Sequence, residues 1–138
     1  MTARPLALVT GGARRIGLAI VEDLAKAGFA VAIHSNSSAG DARRIVDGII
    51  SQGGSAFAFE ADLENMDEVR ALLPSVNRTA GRVSLLINNA SIFEDDEIGA
   101  LDEVLFDRHL ALHVKSPSFL AEAFAKQLPE ALELISRR

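Results

Sequence analysis

Four short apolar runs alternate with stretches of helical period along this chain. Leu6-Ala7-Leu8-Val9 is apolar without a break, the pattern of a strand buried on both faces. It turns through Thr10, Gly11 and Gly12 into a stretch where Ile16, Ile20, Leu24 and Ala27 share one helical stripe. Glu22, Asp23 and Lys26 take the other side, and Gly28 supplies the stop. Phe29 to His34 predicts a second strand. The polar turn Ser35-Asn36-Ser37-Ser38 then enters a helix over 39–52, with Ala42, Ile45, Val46 and Ile49 inward and Gly53-Gly54 at its end. Ser55 to Glu60 predicts the third strand, and Asp62 to Asn65 a turn and cap. Met66 to Ala80 has helical period in Val69, Leu72, Leu73 and Val76, and Pro74 inside it should bend or split the helix. Arg82 to Ile87 predicts the fourth strand. Asn88 to Ser91, an acidic loop and helical sequence from about Leu101 to Leu128 follow.

The order βαβαβαβα predicts an α/β fold, a Rossmann-like doubly wound parallel sheet with right-handed crossovers and helices on both faces. Ligands of such sheets bind beyond the C-terminal ends of the strands. Four stretches lie there: Gly11–Gly17, Ser35–Ser38, Asp62-Leu63 and Asn88–Phe93. Residues 1–138 are expected to form one dinucleotide-binding domain, incomplete at its C-terminal side. The tail 131–138 stops where a fifth strand should begin, leaving the edge of Val83–Ile87 unpaired.

Composition narrows the partners. The chain has 138 residues, 49% hydrophobic and 24% charged, enough for one globular core. Its net charge of −5 argues against a general nucleic-acid binder. It contains no cysteine, so it forms neither disulfides nor thiolate metal sites. His34, His109 and His113 lack ligand spacing, and the acidic run Glu94–Glu97 reads as solvent-facing charge, so no metal is expected. The N-terminal apolar run is too short for a membrane span and lacks the form of a signal peptide. A cytoplasmic protein with no membrane partner is expected.

The stretch Gly11–Gly17 carries the chemistry. A strand, a glycine turn and a helix start present unpaired N–H groups and a partial positive charge, and Arg14 and Arg15 add full charges beside Ile16 and Gly17. The expected ligand is a pyrophosphate; an ordinary turn with solvated arginines is the alternative. A preference for NAD places an acid after the second strand. Here Ser35, Asn36, Ser37 and Ser38 are neutral and can donate hydrogen bonds. One charge-assisted hydrogen bond contributes about 1.5–3 kcal/mol, so this turn predicts NADP(H), unless it serves only to cap its helix. Asp62 can receive an adenine amino group with Leu63 against the ring, or can simply open a helix.

With Asn88-Asn89-Ala90 added, the pattern Thr10-Gly11…Gly17, Asp62-Leu63, Asn88-Asn89-Ala90 resembles the short-chain dehydrogenase/reductases. The resemblance spans the chain but covers only the N-terminal half or so of a family domain. It implies an NADP-dependent reductase passing hydride to a small-molecule substrate, with Asn89 and Ala90 in the cofactor set. A narrower resemblance is to the pteridine reductase-like branch. It rests on Arg15 in place of a glycine, on Ile33-His34 before the polar turn, and on Asn88-Asn89-Ala90-Ser91-Ile92-Phe93. The residues matching Arg15 and Ser91 there contact cofactor phosphate and pterin, and an aromatic matching Phe93 stacks on the pterin. A Phe93 tucked into the core is the plainer reading. Ser37 departs from the branch, which often has arginine at that place. Other carbonyl substrates (a 3-oxoacyl thioester or sugar ketone) and a non-catalytic nucleotide-binding or interaction module remain alternatives.

The family's catalytic group is Asn, Ser and Tyr-x-x-x-Lys. His113 stands at the Asn position, four residues before Pro117, whose missing N–H frees the carbonyl of residue 113. Alternatively His113 only packs in a bent helix. The chain holds no tyrosine, and Lys26, Lys115 and Lys126 are its only lysines. These residues alone are therefore expected to show negligible reductase activity. Phe106, Leu110, Leu120 and Phe124 form an apolar face on the 101–128 helices, which the resemblance assigns to contact with a second copy. The competing assignment is the core.

Overall fold

The computed structural model describes residues 4–128. Four parallel strands, β1 (Leu6–Val9), β2 (Ala30–Ser35), β3 (Ala56–Glu60) and β4 (Val83–Ile87), form one sheet in the order β3-β2-β1-β4. The uninterrupted apolar β1 takes an inner place because it is buried along its whole length, with Ala7, Leu8 and Val9 fully inaccessible. β2 beside it is buried throughout as well, and includes one ionisable residue, His34.

Two apolar clusters cover the two faces. Helices α1 (Arg15–Lys26) and α2 (Ala39–Ser51) lay Val21 and Ala42 on Val9, Val31 and Ile33. On the opposite face, α3 (Met66–Ala80) packs Val69, Leu72, Leu73 and Val76 on Leu6, Leu8, Ala32 and Val83, joined by Leu112 and Leu120. The expected doubly wound architecture is therefore present. Among the described residues β4 pairs only with β1, so its outer edge is open. The tail 131–138, where a fifth strand was sought, lies outside the described residues.

One expectation about helices changes. α3 runs unsplit from Met66 to Ala80 through Pro74. Pro74 is exposed, so its ring projects away from the buried stripe, and the N–H it lacks falls on the side that water reaches. The helical sequence of 101–128 forms three consecutive segments, α4 (Glu103–Leu110), a π-turn (Ala111–Lys115) and α5 (Ser116–Gln127). Pro117 explains the break, because the carbonyl of His113 has no N–H four residues ahead and the ladder relaxes to a wider turn. That turn takes in extra chain, which rotates the following helix by about 100° for each residue added. The single apolar face is thereby divided. Phe106 and Leu110 are exposed, whereas Leu120 is buried and Phe124 packs on the core.

Candidate functional site

The strand ends Val9, Ser35, Glu60 and Ile87 lie along one edge, and the loops that follow them enclose an open cleft of about 550 Å³. Gly11, Arg14, Arg15 and Ile16 line it from the first loop, and Ser35, Asn36, Ser37 and Ser38 from the second. Asp62 and Leu63 line it from the third loop, and Asn89, Ala90, Ser91 and Phe93 from the fourth. Residues separated by up to some eighty positions in sequence thus meet as the strand order requires. Gly17 and His113 are not among the lining residues. A larger groove of about 1170 Å³ runs between α1 and α2. It lies off the strand ends, and Arg4, Arg14 and Arg44 there are occupied by Gly53 and Asp41. The strand-end cleft has the better donor set.

Three side chains hold the first loop. Thr10, 1% exposed, accepts the N–H groups of Asn89 (2.9 Å) and Ala90 (3.0 Å) on its hydroxyl, which donates to the Ile87 carbonyl at 3.4 Å. The Asn89 amide donates back to the carbonyls of Thr10 (3.0 Å) and Gly11 (3.1 Å), so this group braces the loop at the cleft wall. His34 accepts the Gly11 N–H on Nδ1 at 3.1 Å, and its Nε2 lies 2.8 Å from the Ala61 carbonyl. Burial pushes the His34 pKa down, and the bond to Ala61 only partly offsets this.

Glycine is required twice. Gly11 has φ +63°, and a Cβ on it would sit 2.9 Å from the Ala90 Cα. A Cβ on Gly17 would overlap the Gly11 carbonyl oxygen and the Asn89 amide. Gly17 therefore serves close packing of α1 on the loop and does not face the cleft. Arg15 has φ +51° with a side chain attached, the one non-glycine residue in the left-handed region among those described. That conformation costs roughly 1 kcal/mol or more.

The helix starts divide into two classes. α3 is capped by Asn65, which accepts from Asp67 and Glu68, and α4 by Asp102, which accepts from Leu105. α1 and α2, whose N-termini face the cleft, have no side-chain cap. Ser38 occupies the cap position of α2 without making the capping bond, so the reading of Ser35–Ser38 as a cap alone is overturned. The side chains of Ser35, Asn36, Ser37 and Ser38 make no hydrogen bond among the described residues.

Other expectations are adjusted by the geometry. Arg14 is not a free charge at the mouth; it pairs with Asp41 at 3.2 Å, and Asp41 also holds Arg44. Asp62 is not the cap of α3. Its Oδ1 accepts the Glu64 N–H at 2.9 Å in a tight turn. Leu63 is 4% exposed and belongs to the core, so only its edge borders the cleft. Phe93 is 87% exposed, which overturns its placement in the core. Ile16 is also exposed at the rim.

His113 is exposed, and its ring meets that of His109 edge-on, with 5.4 Å between centroids. The Ser91 hydroxyl lies 3.0 Å from its Nε2, which also accepts the Ile92 N–H at 3.4 Å, placing the ring proton on Nδ1. The π-turn thus presents His113 to the fourth loop. Arg108 on α4 donates to Glu64 at 2.8 Å and Glu94 at 3.2 Å, tying that helix to the third and fourth loops, and these carboxylates raise its pKa. The Thr10 and His34 hydrogen bonds were not foreseen. The available signals were a hydroxyl directly after the inner strand and a lone imidazole at the end of an apolar one.

The sequence pattern of the short chain dehydrogenase family matches residues 5–133. The chain belongs to the short-chain dehydrogenase family. A solved structure of FolM alternative dihydrofolate reductase 1 from Brucella canis, complexed with NADP, is 52% identical and superposes with a TM-score of 0.87, over 93% of this chain and 50% of that one. An uncharacterized oxidoreductase of Methylorubrum extorquens is 32% identical, over 95% of this chain and 53% of its own length. A 3-oxoacyl-[acyl-carrier-protein] reductase, FabG, from Staphylococcus aureus is 34% identical over 79% of this chain and 44% of its own length. The chain thus spans about half the length of these relatives. Within the short-chain dehydrogenase frame, Arg15 falls where the Thr-Gly-x-x-x-Gly-x-Gly pattern carries its middle glycine. The left-handed φ explains that pattern: the backbone keeps a glycine conformation although the residue has changed.

Proposed function

We propose that this chain supplies the dinucleotide half of an NADP-dependent short-chain reductase acting on a small, pteridine-like substrate. One observation carries the reading. Two uncapped helix starts converge beside a neutral turn whose hydroxyls and amide have no hydrogen-bond partner among the described residues. A loop into which no Cβ fits at Gly11 suits close approach of a pyrophosphate. The main-chain N–H groups that follow Gly12 would face the pyrophosphate, the Gly12 N–H itself being held by the His34 carbonyl. Ser35, Asn36, Ser37 and the Arg14 Nη1, the guanidinium nitrogen outside the Asp41 pair, would face a ribose 2′-phosphate, and the outer oxygen of Asp62 the adenine. NADPH, when bound, supplies the hydride. Ser91 and the exposed ring of Phe93 would then meet the substrate, with His113 orienting the Ser91 hydroxyl. The 52% identity to a dihydrofolate reductase supports the pteridine reading.

Fluorescence titration with NADPH and NADH tests the cofactor. A preference for NADPH of at least about tenfold is expected, and Ser37→Glu should reverse it by repelling the 2′-phosphate. Equal affinities would overturn the reading. A 3-oxoacyl thioester is the second substrate class, favoured by the 34% identity to FabG. Assays of the whole protein with dihydropterin and acetoacetyl thioester separate the two. Residues 1–138 contain no tyrosine, so by themselves they should bind cofactor without turning over. The exposed Phe106 and Leu110 support association with a second copy through α4.

A further inference from the structure

His34 is the one titratable side chain buried within the sheet, at 2% exposure, and catalysis in the family frame gives it no task. Both ring nitrogens are engaged. A backbone N–H can only donate, so Nδ1, facing the Gly11 N–H at 3.1 Å, must carry a lone pair. A carbonyl can only accept, so Nε2, 2.8 Å from the Ala61 oxygen, must carry the proton. The tautomer is fixed by partners 23 and 27 residues away on two different loops. The main chain repeats the link, with Gly12 N–H donating to the His34 carbonyl and Ala61 N–H to that of Ser35. The imidazole therefore sets the distance between the first loop, at its left-handed glycine, and the third loop, one residue before Asp62.

We propose that neutral His34 is the positioning residue of the dinucleotide loop, and that protonating it releases Gly11 and weakens cofactor binding. This rests on the NADP reading above. A proton on Nδ1 would set N–H against N–H at Gly11, and the loop must turn away to relieve it. The charged groups on the surrounding elements are Arg14 and Arg15 after β1, Asp41 on α2, Glu60 and Asp62 at the end of β3, and Glu68 on α3. Burial lowers the pKa of the ring and the hydrogen bond to Ala61 raises it. By linkage, cofactor binding should favour the neutral imidazole in return.

Glutamine places an acceptor and a donor side by side without titrating, and phenylalanine keeps the ring without either. NADPH affinity of the wild type, His34→Gln and His34→Phe is measured from above to well below the ordinary histidine value of 6.5. His34→Gln should bind within about threefold of wild type at neutral pH and lose the acid-dependent part of the wild-type profile. His34→Phe should bind at least about tenfold more weakly, one hydrogen bond's worth. In the wild type, the Gly11 amide resonance should move with the titration of the His34 ring. A Gly11 resonance indifferent to that titration, or identical pH profiles for wild type and His34→Gln, would overturn the proposal. A wild type that binds no NADPH at any pH overturns the cofactor reading instead, and the Gly11 resonance still decides the latch. Should His34→Phe fail to fold, the glutamine profile and that resonance decide.

Discussion

Replacing Thr10 with valine keeps the shape of the side chain and removes one oxygen. In the wild type that oxygen accepts two main-chain N–H groups, from Asn89 at 2.9 Å and Ala90 at 3.0 Å. Valine leaves both without a partner. A donor left unsatisfied costs about 1–3 kcal/mol, and Asn89 and Ala90 are half-buried, so the lower part of that range applies to each. The hydroxyl's own donation to Ile87 adds little, because that carbonyl also accepts the Thr10 N–H at 3.0 Å. The expected loss is about 2–3 kcal/mol, a large part of the roughly 5–15 kcal/mol that holds a domain. Urea unfolding followed by circular dichroism should show a midpoint lowered by about 1 M or more, with unchanged slope. Thr10→Ser retains the oxygen and should recover most of the loss. An unchanged valine midpoint, or a serine variant as damaged as the valine one, would refute the account of how the first and fourth loops are joined.

Three further outcomes are expected. Gly17→Ala forces a methyl into the Gly11 carbonyl and the Asn89 amide; it should weaken NADPH binding at least about tenfold and destabilise the fold by about 1–3 kcal/mol, read by titration and urea unfolding. The His34 pKa lies below 6.5 in the folded chain, so between that depressed value and 6.5 the unfolded chain binds more protons. Stability should be full above pH 6.5 and fall as the pH drops through that window, and His34→Gln should flatten the slope of the unfolding midpoint against pH. Phe106→Glu combined with Leu110→Glu should shift sedimentation of an associated chain toward the monomer without lowering its urea midpoint, because both side chains are outside the core.

The alternation of elements was readable because each strand and helix advertises its period over four to fifteen consecutive residues. The apolar β1, the stripe Val69-Leu72-Leu73-Val76 and the meeting of four loops at one edge all follow from that period. What sequence concealed depends on partners far along the chain. Arg14 looks like a free cation until Asp41 is brought beside it from 27 residues away. The Thr10 hydroxyl and the Asn89 amide complete each other across 79 residues. Loop side chains have no period at all, so neither the outward Phe93 nor the inward Leu63 could be assigned. The stripe through 101–128 divides between its two competing assignments, Phe106 and Leu110 outward and Leu120 and Phe124 on the core, because a 3.6-residue period does not carry across a π-turn.

The contrast between capped α3 and α4 and uncapped α1 and α2 has a thermodynamic consequence. An anion bound at the two bare ends stabilises the native state alone, because the unfolded chain has no such ends. At a hundred times its dissociation constant such a guest adds about 2.7 kcal/mol. Heat resistance thus becomes a function of what is dissolved around the molecule. A series of nucleotides could be ranked by melting temperature, with no chemical turnover needed.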